Sequence, residues 1–186
     1  MTPDEKVTQV EAVFQKLDEE IARFQSATGM HCKPGCGKCC FKADIEATAL
    51  EFLPFALHLY RNGLAEEWYG KLNSHEGSVC LILNPMQSGA GLCTEYKHRG
   101  LICRLFGYSA RTNKYGTKEV ITCQVIKTEE PAEYQKAVAE VDKAPVMSQY
   151  YMRLHAIDQE MTTEFYPINV AIKKALENVM HYYAYR

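Results

Sequence analysis

From Asp4 to about Ser26, the apolar residues Val7, Val10, Phe14, Leu17, Ile21 and Phe24 recur in steps of three and four. That spacing is one stripe of a helix, and it predicts an amphipathic N-terminal helix over residues 4–26. The stripe is shorter than four heptads, so it reads as a face packed on the chain's own core rather than as a coiled-coil seam. A second block, Ala47 to Arg61, is nearly continuous in apolar residues (Leu50, Phe52, Leu53, Ala56, Leu57, Leu59) and predicts another helix. Pro54 lies inside it and either splits it or marks the first turn of its second half; Gly63 stops it. A short helix over Leu64–Leu72 ends at Asn73, Ser74 and Gly77.

The pattern then changes. Between Val79 and Ile126 the apolar runs are short and rich in β-branched residues (Val79–Leu83, Glu119–Ile126) and are broken by glycine and asparagine, which predicts a few short strands in an irregular lobe. From Glu130 helical spacing returns: Tyr134, Val138 and Val141, then Met147, Tyr151 and Leu154, then Ile168, Ile172, Leu176 and Val179. Pro145 and Pro167 suit the first turns of the last two helices. With no internal repeat and no low-complexity linker, the expectation is a single domain over 1–186. Its expected fold class is mainly α with an irregular cysteine-rich lobe containing a few short strands, a minor α+β character. The cysteine-cluster region spans about 28–126, between the N-terminal helix 4–26 and C-terminal helices over 130–181.

At 186 residues the chain can bury a continuous core without disulfides. The 21 basic and 23 acidic residues nearly balance, and a net charge of −2 provides no field to attract phosphate backbones or anionic lipid. Neither nucleic acid nor a membrane surface is expected as a partner. The start, Met-Thr-Pro-Asp-Glu-Lys, is polar and acidic, and no apolar run has the length of a membrane span, so a cytoplasmic location is expected. In a reducing compartment thiols serve metals or chemistry more often than cross-links, and eight cysteines in 186 residues fall below the density of a disulfide scaffold.

Those cysteines carry the chemistry. Thr28–Lys42 lacks an apolar period and reads as a loop holding Cys32, Cys36, Cys39 and Cys40, a C-x3-C-x2-C-C array. A Cys-x2-Cys turn brings two sulfurs toward one point, about 3.5 to 4 Å apart. Glycine between them permits the tight backbone and turns amide N–H groups toward the sulfurs. Lys33 and Lys38 add positive charge that favours thiolate. Adjacent Cys39 and Cys40 point in different directions on any regular backbone, so a shared mononuclear ion requires strain. Two centres, two irons of one cluster, or one cysteine packed in the core all accommodate the adjacency. The second group, Cys80, Cys93, Cys103 and Cys123, is spread through the irregular lobe and brings the count to eight. Eight thiols suit two four-cysteine centres, or one centre fed by both groups.

Cys32-x3-Cys36-x2-Cys39-Cys40, followed by Cys80, Cys93-x2-Tyr96-x2-Arg99 and Cys103-Arg104-x-Phe106, resembles the YkgJ-type cysteine-cluster family of zinc- or iron-chelating proteins. The resemblance spans about residues 32–123; Leu81 stands where the family has proline, and Arg99-Gly100 where it has Arg-Pro. It implies Cys32, Cys36, Cys39, Cys40, Cys80, Cys93, Cys103 and Cys123 as metal ligands, with Arg104 in support. The cofactor so implied is zinc or iron, an iron–sulfur cluster included, and the partner is the metal ion itself. A flagellin lysine N-methylase is similar to this family, so the alternative to a structural, storage or sensing role is an iron–sulfur redox protein or a protein-modifying enzyme. No S-adenosylmethionine-binding glycine loop supports the latter.

Other groups add little at this level. Of His31, His58, His75, His98, His155 and His181, only His31 adjoins a cysteine, and it reads as a solvent-facing loop residue. No helix carries two histidines at i and i+4, so a zinc-protease arrangement is not indicated. His155, Asp158 and Glu160 read as a polar helix face, and Gly89-Ala90-Gly91 is too short for a phosphate loop. A guanidinium at Arg104 beside several thiolates would offset their repulsion. The aromatic tail, Tyr182, Tyr183 and Tyr185 with Phe165 and Tyr166 upstream, reads as packing.

Overall fold

The structure is a computed structural model that describes residues 1–32, 36–84 and 92–185. Lys33 and the Gly89-Ala90-Gly91 run lie outside the described residues. The chain is mainly helical, as its periodicity predicts. In chain order the α-helices are α1 (Pro3–Thr28), α2 (Leu53–Arg61), α3 (Ala65–Ser74), α4 (Leu101–Leu105), α5 (Gln124–Glu129), α6 (Pro131–Ala139), α7 (Met147–Ile157), α8 (Glu160–Thr163) and α9 (Ile168–Ala184). The strands are short: β1 (Glu46–Ala47), β2 (Leu83–Asn84), β3 (Leu92–Cys93), β4 (Ser109–Thr112), β5 (Lys118–Ile121) and β6 (Tyr166–Pro167). They pair antiparallel as β1 with β6, β2 with β3 and β4 with β5. No helix among the described residues is long and apolar enough to cross a membrane.

The chain forms two compact units, each assembled from separate stretches. The first comprises Met1–Ala12, Gly35–Gly100 and Leu154–Arg186. Its core forms where α2 packs on α9: Leu53, Phe55, Ala56 and Leu59 are buried, as are Ile168, Ala171, Ile172, Ala175, Leu176 and Val179. Each fully buried Leu or Ile contributes about 1.5 to 3 kcal/mol by leaving water. Pro54 occupies the first turn of α2, where a missing N–H costs nothing, and a 3-10 turn (Leu50–Phe52) leads into it. Asp4 in the first turn of α1 bonds both Arg61 Nη2 and the Tyr183 hydroxyl. These contacts hold its carboxyl below the usual range, the Tyr183 hydrogen bond first, against a smaller opposing effect of burial. Lys6 Nζ meets Asp158 Oδ2 at 2.5 Å, and Asp158 also caps α8 through the Met161 N–H at 3.0 Å. The predicted polar face around His155 is therefore a bonded one, with His155 Nδ1 2.9 Å from Thr162 Oγ1.

The second unit comprises Val13–Pro34 and Leu101–Arg153. Phe24, Met30, Ala110, Ile126, Ala137 and Ala144 make its buried cluster, with Tyr108, Val120, Cys123 and Val141 packed around it. The β4–β5 hairpin pairs Ser109 with Ile121 through to Thr112 with Lys118, and Ala110 also bridges to Val146.

Local differences from the periodicity have simple causes. The loop predicted over Thr28–Lys42 contains a 3-10 turn (Lys38–Phe41), too short for any apolar period to signal. The Val79–Leu83 run yields strand only at its end, because the Leu83 N–H turns back to the Cys80 carbonyl at 3.1 Å. The Glu119–Ile126 run is strand to Ile121, and then Cys123 starts helix α5. Pro167 is the residue before α9 rather than its first turn, and the Pro145 carbonyl accepts the Ala110 N–H at 2.8 Å, two residues before α7 begins.

Candidate metal centre

Cys39 and Cys40 stand side by side on the Lys38–Phe41 turn, both half-buried. Gly37 starts that turn with φ 55°, a left-handed conformation that glycine adopts without steric cost. On so tight a turn the two sulfurs meet: a hydrogen bond from Cys40 is the largest influence on Cys39. Burial opposes it, while the N–H groups of Cys39 and Cys40 and the charge of Arg99 add to it. The outcome is a Cys39 thiol with its pKa lowered to about 6, a thiolate at neutral pH.

Cys80 and Cys93 belong to the same unit: Cys80 lies three residues before Leu83 of β2, and Cys93 is in β3, opposite Leu83. Thr94 ties the pair together by donating from both its N–H (3.2 Å) and its hydroxyl (2.9 Å) to the Ile82 carbonyl. Burial pushes the Cys80 thiol up to about 11, although the N–H groups of Ile82 and Leu83 favour its anion. Burial also raises Cys93, opposed by the Glu95 N–H and by Arg99. Cys80 senses the charge of Cys93, and Cys93 that of Cys39, so three segments bring sulfurs within electrostatic reach in a chain linked through Cys93. Cys36, also half-buried, lies in this unit.

The second unit holds the remaining three cysteines. Cys32 is exposed, and its N–H donates to the Tyr108 hydroxyl at 2.6 Å, while the neighbouring His31 N–H donates to Glu130 at 3.1 Å. His31 is exposed, and its Nδ1 lies 2.8 Å from the Gly29 carbonyl. Cys103 is half-buried on α4 between the buried Leu101 and Leu105. The Cys123 sulfur caps α5, accepting the Ile126 N–H at 3.5 Å. Amide donors thus face the sulfurs of Cys39, Cys80, Cys93 and Cys123. At Cys39, Cys80 and Cys93 those donors favour thiolate charge.

Two arginines adjoin the cysteine segments, Arg104 directly after Cys103 and Arg99 six residues after Cys93. Arg104 is largely buried, ion-pairs with Asp18 and lies 4.7 Å over the Phe14 ring. Arg99 acts on the thiols of Cys39 and Cys93. Its guanidinium stacks 3.5 Å over Tyr96, its Nε donates to the Tyr96 carbonyl at 3.1 Å, and its charge favours the anions of both Cys39 and Cys93. The signal was present in Cys93-x2-Tyr96-x2-Arg99, where three residues per turn return Arg99 to Tyr96.

Among the described residues, the three-membered group of donor atoms that all lie within 4.8 Å of one another contains no cysteine: it is His58, Glu95 and His98, all half-buried. His58 projects from α2, and His98 closes the 3-10 turn Tyr96–His98 that follows Glu95. Forty residues separate the two imidazoles, and no local spacing links them.

A family model described as "CxxCxxCC: Putative zinc- or iron-chelating domain" matches residues 31–138. No curated protein and no solved structure matches the chain. The match covers more than half of the chain and all eight cysteines. The chain belongs to the CxxCxxCC family, whose domain is described by zinc or iron chelation.

Proposed function

We propose that this chain is a metal-binding protein that holds zinc or iron through thiolates, in a structural, storage or sensing role. Cys39, Cys80 and Cys93 form the heart of the binding set. One observation carries this reading: three half-buried sulfurs from separate segments are linked electrostatically through Cys93, and each has at least one backbone N–H aimed at it. A buried thiol needs no such donors, whereas a ligating thiolate does. Cys36 and Cys40 stand next in line as donors, and Cys32, Cys103 and Cys123 complete the eight candidates. Arg99 offsets the accumulating negative charge.

The test is elemental analysis and absorption of reduced, anaerobically purified protein, repeated on Cys39→Ser, Cys80→Ser and Cys103→Ser. Stoichiometric zinc or iron in the parent protein is expected, with metal lost in Cys39→Ser and Cys80→Ser. Retention in Cys103→Ser would place that residue outside the set. Absence of stoichiometric metal from the parent protein would end the proposal. A visible chromophore bleached by dithionite would assign the iron to a cluster and favour redox chemistry.

A further inference from the structure

Outside the cysteines, the half-buried trio of His58, Glu95 and His98 is a separate concentration of ligating side chains. The two imidazole rings stack with centroids 4.3 Å apart and an interplanar angle of 28°. Glu95 Oε2 lies 3.1 Å from His98 Nδ1. The apolar side is built from Phe55, whose ring is 5.7 Å from His98 and packs edge-on against Trp68 at 5.2 Å. Two imidazoles and a carboxylate are therefore held together beside apolar rings, His58 from α2 and Glu95 and His98 from the turn after β3.

We propose that His58, Glu95 and His98 form a second metal site, distinct from the thiolate centre, for a divalent first-row transition ion. Two neutral nitrogens and one carboxylate oxygen suit zinc or ferrous iron and do not suit the soft, thiolate-selecting ions. Metal–nitrogen and metal–oxygen bonds near 2.1 Å require donors no more than about 4.2 Å apart. The present separations lie within 4.8 Å, and the remaining closure needs only rotation about χ2, a soft torsion in histidine. Three protein donors leave coordination positions free, which is the arrangement of a site that binds water or substrate rather than of a closed structural ion.

Cobalt(II) titration of the full-length reduced protein under anaerobic conditions tests the assignment. Thiolate ligation gives intense sulfur-to-cobalt charge-transfer bands, whereas a nitrogen–oxygen site gives only weak ligand-field bands. Relative to the parent protein, His58→Ala and His98→Gln should each lose one equivalent of bound cobalt, with the charge-transfer bands unchanged. Equal stoichiometry in parent and variants would overturn the proposal, and so would loss of the charge-transfer bands in the histidine variants, which would assign the imidazoles to the thiolate centre. Loss of an equivalent in the variants, in a protein that never shows charge-transfer bands, would uphold this site while the thiolate reading failed. A measurement on the unaltered protein guards against misfolded variants: selective paramagnetic shifting of the His58 and His98 ring signals by the ligand-field equivalent is expected, and unshifted rings would refute the site.

Discussion

The Cys40 side chain is hydrogen-bonded to the Cys39 sulfur within a single 3-10 turn, and this contact makes Cys39 an acidic thiol. Metal-free, reduced protein should therefore show sharply unequal thiols. At pH 7 Cys39, with a pKa of about 6, is mostly thiolate, while Cys80, near 11, is almost wholly protonated. A lower pKa also weakens intrinsic nucleophilicity, which offsets part of that advantage. Cys39 should still be alkylated by iodoacetamide at least about tenfold faster than Cys80, as peptide mapping by mass spectrometry at timed intervals would show. Equal rates would refute the assignment.

Metal affinity should rise with pH. Cys80 and Cys93 have raised pKa values and carry protons at neutral pH, so binding must release both, whereas Cys39 has already lost its proton above about pH 6. Two protons displaced correspond to an affinity gain of about 100-fold per pH unit between roughly pH 6.5 and 8. Competition with a chelator of known pH dependence measures the slope. A pH-independent affinity would remove Cys80 and Cys93 from the ligand set.

Arg99 and Arg104 should separate cleanly. Arg99→Gln removes the charge that favours the Cys39 thiolate, so the alkylation midpoint of Cys39 should move upward with little loss of stability. Arg104→Gln breaks the ion pair with Asp18 and the contact with Phe14, and should cost about 1 to 2 kcal/mol in urea unfolding while leaving that midpoint in place. The reverse pattern would restore Arg104 as the residue that serves the thiols.

Gly100 is required for space. A Cβ at this position would stand 2.8 Å from Phe52 Cζ and 3.1 Å from Glu51 Oε2, and both of those residues are buried. Gly100→Ala should destabilise the protein by about 1 to 3 kcal/mol, the usual cost of overpacking a filled core. Urea denaturation gives the value, and an unchanged midpoint would show that Phe52 can move aside.

What the sequence conveyed depended on segment length. The helices α1, α2 and α9 each run two turns or more with a buried stripe, long enough for a period to be visible. The strands are two to four residues long, so alternation has no room to declare itself, and β-branched composition at Glu119–Ile126 outweighed the capping role of Cys123. Four cysteines crowded into Cys32–Cys40 were conspicuous because their spacing is local. His58 and His98 were not, because only the packing of Phe55 and the turn after Glu95 brings them into contact. Arg99 and Arg104 are indistinguishable in charge and both adjoin the cysteine region. Their partners differ: Arg99 meets Tyr96 three residues away, whereas Arg104 meets Phe14 and Asp18 on α1, a tertiary contact that spacing does not encode.

The Cys123 cap has a dynamic corollary. Its sulfur holds the Ile126 amide at the start of α5, and Ile126 belongs to the buried cluster formed with Phe24, Met30 and Ala137. Removing that acceptor leaves the first turn of the helix open, so the Ile126 amide should exchange with solvent faster in Cys123→Ala. This single backbone proton reports whether the start of α5 is closed.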